Sequence, residues 1–315
     1  MAYPIDRKLV IAIASSALFD LSESDKVYRE KGVEGYRKFQ EANIDKTLEK
    51  GVAFPFIRRF LNLNSVFPEE EPVEVVLLSR NSPETGMRVF RSIKDYGLNI
   101  TRAAFFSGRS PYEYLPGFNA SLFLSANSGD VNKAIRAGFP AGRVIETRIS
   151  DEENDNELRI AFDFDGVIAD DAAEIIYKST KDLNKFHESE TQLSLVPHNP
   201  GPLQDLFRKI SFFQKLETRK IRNTRGYKRI LKISIVTARS APSHERMINT
   251  LKSWGVTVDE AFFLGGIEKK RILEIMKPHM YFDDQSVHLE HIDNIPLVHI
   301  PFGIANIDPG KKEGI

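Results

Sequence analysis

Asp163 and Asp165 stand one residue apart at the end of the apolar run Leu158-Arg159-Ile160-Ala161-Phe162, and Gly166 follows them. The run has strand length and reads as a buried strand. Strands disfavour Asp, so two of them at a carboxyl end need a reason. In open α/β sheets, ligands bind beyond the carboxyl ends of the strands. Two carboxylates there can hold a divalent cation through oxygen, and one of them can act as a covalent nucleophile. The plain alternative is a strand running into an Asp-Gly turn.

Three further stretches have the same form. Leu231 to Val236 is an apolar strand ending at Thr237-Ala238-Arg239-Ser240, with a helix predicted from Pro242 to Trp254. A hydroxyl and free N–H groups at a helix start make an anion site. Ala261-Phe262-Phe263-Leu264-Gly265-Gly266 is a strand and turn leading to Lys269 at the start of another helix. His279-Met280-Tyr281-Phe282-Asp283-Asp284 is a strand ending in two more acids. In this order, the Asp-x-Asp, Thr, Lys and Asp pair resemble the motif set of the haloacid-dehalogenase-like phosphohydrolases.

That resemblance implies a mechanism. Mg²⁺ would be held by the Asp163 carboxylate, the Asp165 carbonyl and the Asp283-Asp284 pair, with Asp284 the preferred direct ligand. Asp163 would attack phosphorus. Asp165 would serve as general acid and then as general base. Lys269, with Lys270 as the fallback, would add positive charge, and Thr237 with the N–H groups after it would hold phosphate oxygens. Ala238, Arg239 and Ser240 are candidate substrate contacts. Arg239 in a structural ion pair is the competing reading.

These motifs need a parallel sheet to position them. The expected architecture is α/β, with two Rossmann-like domains of the haloacid-dehalogenase type. Residues 1–150 are the degenerate, non-catalytic copy and 151–157 an acidic linker. Residues 158–315 are the catalytic domain, with a small helical cap inserted at about 184–227. Phe186, Phe207, Phe212 and Phe213 of that insertion fit either a base-stacking role or a core. The basic stretch Arg219, Lys220, Arg222, Arg225, Lys228 and Arg229 fits either a solvated face or a lip attracting phosphorylated substrates.

The first half repeats the second. Tyr96-Gly97 precedes Trp254-Gly255 by 158 positions (254 − 96 = 158), and the same offset pairs Ser79 with Thr237 and Ser125-Ala126 with Asp283-Asp284. An offset of 149 (163 − 14 = 149) pairs Ala14 with Asp163 and Ser16 with Asp165. Such self-similarity suggests duplication of one unit. The first copy has Pro111 where the second has Lys269, so it lacks nucleophile, metal ligands and lysine. Strands are expected at Val10–Ala14, Val73–Leu78, Ala103–Phe106, Ala120–Leu124 and Arg143–Glu146, and Pro55 to Pro72 reads as a connection.

Composition narrows the remaining classes. The chain has 315 residues, 41% hydrophobic and 28% charged, with no formal net charge and no cysteine. Zero net charge argues against nucleic-acid polymer or membrane-surface binding. Without cysteine there are no disulfides or thiolate sites, which fits a reducing compartment. Leu9 to Phe19 looks superficially like a signal-peptide core but reads better as a strand, and no run reaches the roughly 18 apolar residues of a membrane span.

Beyond the motif set, the chain resembles the cytosolic 5′-nucleotidase type I family, the AMP-preferring enzymes. The resemblance is carried by Ile13-Ala14-Ser15-Ser16-Ala17-Leu18-Phe19-Asp20-Leu21, Val236-Thr237-Ala238-Arg239-Ser240, Trp254-Gly255, Asp259-Glu260-Ala261-Phe262-Phe263-Leu264 and Pro278-His279-Met280-Tyr281-Phe282-Asp283-Asp284-Gln285. It implies Mg²⁺-dependent hydrolysis of nucleoside 5′-monophosphates to nucleoside and phosphate. It also implies a cytoplasmic homo-oligomer open to a nucleotide effector, since ADP activates animal members. The competing expectations are a phosphatase of another small phosphomonoester, such as a sugar phosphate, and a nucleotide-binding regulatory protein with little turnover.

Overall fold

A computed structural model describes residues 3–147 and 149–307. The predicted domain end at 315 lies outside these described residues. The chain divides into two compact units, Met1–Leu158 and Arg159–Ile315.

In the first unit, β1 (Leu9–Ile13), β2 (Val73–Ser79), β3 (Arg102–Phe105), β4 (Ala120–Ser125) and β5 (Ala141–Val144) lie in the order β3-β2-β1-β4-β5. Their pairings are parallel, with Ile13 opposite both Leu77 and Leu124. Every residue of β1 and β2 is buried. That is why these strands read as continuous apolar runs: helices cover both faces of a parallel sheet, so no face is left for polar residues. The helices are α1 (Ser15–Leu18), α2 (Ser22–Ala42), α3 (Phe54–Val66), α4 (Gly86–Asp95) and α5 (Ser128–Arg136).

The second unit repeats that plan. β6 (Leu158–Phe162), β7 (Leu231–Thr237), β8 (Glu260–Phe263), β9 (Met280–Asp283) and β10 (Leu297–His299) lie in the order β8-β7-β6-β9-β10. Counted from its own first strand, each unit therefore runs third, second, first, fourth, fifth. The helices are α6 (Ala172–Thr180), α7 (Leu183–Gln192), α8 (Gln204–Asn223), α9 (His244–Ser253), α10 (Lys269–Met276) and α11 (Ser286–Leu289). An isolated antiparallel bridge recurs as well, Phe19 with Lys50 and Ala169 with Pro200.

Three expectations change. Pro55 to Pro72 is not a connection, because α3 occupies most of it. Pro55 sits in the first turn, where its missing N–H has no intrahelical partner to lose. Phe54, Ile57, Phe60, Leu61 and Leu63 then form a buried stripe at helical spacing.

The stretch expected as a cap over 184–227 is not one body. α7 packs on α6 and α9, while α8 packs on β7 and buries Leu206, Phe207, Ile210 and Phe213. Phe207 meets Phe162 edge-on at 5.3 Å, so α8 is a layer of the sheet and Phe207 and Phe213 are core. Phe212 alone of that set is half-exposed.

The basic stretch feeds the amino end of β7, whereas ligands bind at carboxyl ends. Arg219, Arg222, Arg225 and Lys228 are exposed there, and Arg229 pairs with Asp259 at 2.6 Å. A solvated face accounts for it. The acidic stretch after Ser150 is tied down within the first unit, where the buried Arg59 bonds Asp151 at 2.6 Å and the Glu152 carbonyl at 2.9 Å.

Candidate active site

The parallel register brings the acids together. Phe162 lies opposite Phe282, and the Asp163 N–H donates to the Phe282 carbonyl at 2.8 Å. β6 and β9 therefore end side by side, delivering Asp163, Asp283 and Asp284 to one place. Lys269, the first residue of α10, reaches between them. Its ammonium lies 2.6 Å from Asp163 Oδ2 and 2.6 Å from Asp283 Oδ2, and all three side chains are buried. Lys270 instead donates to the His291 carbonyl at an exposed position.

The two acids of β9 differ sharply. Asp283 accepts from Lys269, from the Tyr281 hydroxyl at 2.5 Å and from the Gln285 N–H at 2.9 Å, and His288 Nδ1 lies 3.2 Å from its other oxygen. Burial opposes its charge, but Lys269 and His288 hold its carboxyl below the usual range. Asp284 is fully buried, and neither of its side-chain oxygens has a hydrogen-bond partner. Burial and the neighbouring Asp163 and Asp283 push it up to about 10. Its backbone is fixed all the same, since its carbonyl accepts from His299 Nε2 at 2.9 Å and Asn306 Nδ2 at 2.8 Å.

Burial, relieved in part by Lys269 and reinforced by Asp283, raises Asp163 to about 7. Asp163 takes two donors, Lys269 and the Phe164 N–H, where Asp283 takes three and a histidine nitrogen. Burial disfavours the Lys269 ammonium, but the Asp163 and Asp283 carboxylates outweigh it and raise Lys269 above its ordinary value.

A buried carboxylate without a donor is costly, and this chemistry suits a hard cation. Asp284 and Asp163 could offer oxygen ligands of the kind a hard divalent cation takes. Ligand atoms of Asp163, Asp283 and His288 also cluster within 4.8 Å. Asp283 and His288 are already committed to each other and Asp283 to Lys269, so Asp284 is the better ligand. Gly166 makes room for it: at φ +71° it has left-handed backbone, and a Cβ there would lie 2.5 Å from Asp284 Oδ2. Gly166→Ala is expected to weaken cation binding by roughly tenfold or more, since the strained turn and the displaced carboxylate act together. Isothermal titration with Mg²⁺ checks this, and unchanged affinity refutes it.

Asp165 does not join the acid cluster in this structure. Arg239 grips it with two bonds, Nε to Oδ2 at 2.7 Å and Nη2 to Oδ1 at 2.6 Å. Arg239 is itself buried and bonds Glu190 and the Ser243 carbonyl (3.1 Å) through Nη1. Of the two readings of Arg239, the structure has the ion pair. Thr237 is buried at the end of β7, and its hydroxyl accepts the Arg239 N–H at 3.2 Å. Ala238 is exposed, and Ser240 accepts the Ser243 hydroxyl through its carbonyl.

A family model described as 5′-nucleotidase matches residues 1–307. The chain belongs to the 5′-nucleotidase family. The match runs through both units, so the family includes the unit without the acids. Human cytosolic 5′-nucleotidase 1B is 34% identical over 292 residues, which is 90% of this chain and 47% of that protein. This 5′-nucleotidase-family chain thus spans about half the length of that curated relative. No solved structure matches it. Among the described residues, no helix is long and apolar enough to cross a membrane.

Four residues around this site have no role assigned by the sequence motifs. Glu190, His198 and Arg246 are buried behind Arg239, and Tyr281 is buried against Asp283. Burial opposes the charge of Glu190, yet His198 and Arg239 hold its carboxyl down to about 2. A lone Glu in a polar helix gives no local signal of that environment, and only the internal repeat points to it.

Proposed function

We propose that this chain is a Mg²⁺-dependent 5′-nucleotidase that hydrolyses nucleoside 5′-monophosphates through a phosphorylated Asp163. The observation that carries the reading is Lys269 held between Asp163 and Asp283 beside the unpaired Asp284. One ammonium stands among three buried carboxylates, an arrangement short of positive charge, at the carboxyl ends of adjacent strands. The family match and the human relative's name support the substrate class. The same name supports a cytoplasmic setting.

Bound Mg²⁺, held by Asp163, Asp284 and the Asp165 carbonyl, would neutralise phosphate charge. An Asp163 carboxylate oxygen attacks phosphorus, and the bond from phosphorus to the nucleoside 5′-oxygen breaks. Asp165 gives its proton to that oxygen, and nucleoside departs. Asp165, now ionised, takes a proton from water as the water attacks the aspartyl-phosphate. The bond from phosphorus to Asp163 breaks, releasing phosphate and restoring both acids. Lys269 compensates the charge on Asp163 throughout, while the Thr237 hydroxyl and the N–H groups after it hold phosphate oxygens. The first unit, with Ala14, Ser16, Pro111 and Ser125 at the corresponding places, is the non-catalytic copy.

Phosphate release from a panel of nucleoside monophosphates and sugar phosphates, with Mg²⁺ and with chelator, tests this. Nucleoside 5′-monophosphates are expected to be hydrolysed best, with chelator removing at least about 10²-fold of the rate. Preference for sugar phosphates, or no chelator effect, refutes it.

A further inference from the structure

The two units share a buried scaffold around one arginine each, with an amide partner in the first and a carboxylate partner in the second. In the first, Arg88 of α4 donates to the Lys46 carbonyl at 2.8 Å and to Gln40 Oε1 of α2 at 3.3 Å. In the second, Arg246 of α9 donates to the Val196 carbonyl at 2.9 Å and to Glu190 Oε1 of α7 at 2.7 Å. Around each arginine the same support recurs. The Ser92 hydroxyl donates to the Arg88 carbonyl and accepts the Leu48 N–H, while the Thr250 hydroxyl donates to the Arg246 carbonyl and accepts the His198 N–H. An amide therefore satisfies the arginine on the long helix in one unit, and a carboxylate does so in the other. Holding that arginine does not require a charge.

What differs is the neighbour two residues beyond the second strand. In the first unit it is Asn81, whose N–H bonds the Ser79 hydroxyl and whose side-chain oxygen accepts from Tyr36 at 3.0 Å. In the second it is Arg239, whose N–H bonds the Thr237 hydroxyl in the same way. Only there does the helix residue hold a second arginine, because Glu190 Oε2 bonds Arg239 Nη1 while Oε1 bonds Arg246. Phe164 and Phe186 flank the guanidinium at 5.2 and 5.6 Å and help fix its plane. The opposite edge of that plane then meets both oxygens of Asp165. The neutral trio Gln40, Asn81 and Ser16 thus stands where the second unit has Glu190, Arg239 and Asp165.

We propose that Glu190 is a positioning residue for the phosphatase reaction: its carboxylate aims Arg239 so that Arg239 fixes Asp165. This rests on the reading of Asp165 as the proton donor and acceptor. A planar fork held at one end presents a defined edge at the other. Without the anchor, Arg239 turns within its pocket and Asp165 loses the partner that fixes both its oxygens.

The test is Glu190→Gln, the side chain that the first unit carries at this place. Its thermal midpoint reports that the fold is kept. With a nucleoside 5′-monophosphate, kcat is expected to fall roughly 10–100-fold with KM within about threefold. With p-nitrophenyl phosphate, whose leaving group is a far weaker base than an alkoxide, the first-turnover burst of p-nitrophenol should keep its rate within about threefold. Arg239→Lys, which cannot grip both oxygens of Asp165, is the second variant should E190Q unfold, and the same split is expected of it. Where both fold, the double variant should lose no more than R239K alone. E190Q at wild-type kcat, equal losses on both substrates, or additive losses in the double variant overturn this inference alone. A wild-type protein that releases no phosphate overturns the proposed function, and this inference with it.

Discussion

Asp163→Asn is expected to abolish phosphate release, with kcat falling at least about 10⁴-fold, because an amide does not form the aspartyl-phosphate. The substitution is close to isosteric, so binding and folding should survive. The amide oxygen can still accept the Phe164 N–H. Its NH₂ would face Lys269, which keeps Asp283 as a partner at 2.6 Å. One of the buried carboxylates loses its charge, which removes the Asp163 repulsion that adds to burial in pushing Asp284 up to about 10. A stable protein without turnover is therefore the expected phenotype. Acid-quenched wild type should yield a phosphorylated peptide containing Asp163, and the variant should not. Ser16→Ala, at the corresponding end of β1, should turn over at the wild-type rate. Hydrolysis within tenfold of wild type in D163N, or dependence on Ser16, would move the chemistry out of the second unit.

The positions of the acids could be read in the sequence because each ends an apolar run of strand length, and a parallel sheet aligns such ends. Asp163, Thr237, Lys269 and Asp283-Asp284 needed only strand order to meet. The difference between Asp283 and Asp284 was not legible. It depends on which side chain faces Lys269 and Tyr281 and which faces Gly166, and that follows from the pleat and the turn after β6. Arg239 was ambiguous for a similar reason, since its partner Glu190 lies on α7 with no spacing that links the two. A signal did exist in the repeat, where Gln40 and Arg88 correspond to Glu190 and Arg246. It needed two offsets at once, because the segment leading into the second strand is eight residues longer in the second unit (158 − 150 = 8). α3 falls within the stretch that reads as a connection, and Pro55, which bounds that stretch, opens the helix. β10 is three residues long, too short for any periodicity to register.

Asp284→Asn is expected to raise the stability of the metal-free protein while removing the effect of Mg²⁺ on its melting. Asp284 has an ordinary value of 3.8 and is raised to about 10 in the folded chain, with no donor to its oxygens. A carboxyl raised in the folded state takes up a proton there that the unfolded chain has released. The metal-free protein therefore loses stability as pH rises from about 4 towards about 10, and by neutral pH this group has cost on the order of 4 kcal/mol. Asn carries no such cost, so the variant should melt higher than wild type in chelator, with the gap widening as pH rises. A cation reverses the sign for wild type only: its binding displaces the proton, so its affinity should increase with pH across that window. Excess Mg²⁺ should then raise the wild-type midpoint and leave D284N where it was. Thermal melts of both proteins in chelator and in excess Mg²⁺, from about pH 6 to about pH 9, separate these effects. If D284N melts lower than wild type in chelator, Asp284 has a donor and a structural role instead. If D284N keeps the full Mg²⁺ shift, the cation sits elsewhere, and the set of Asp163, Asp283 and His288 becomes the place to look.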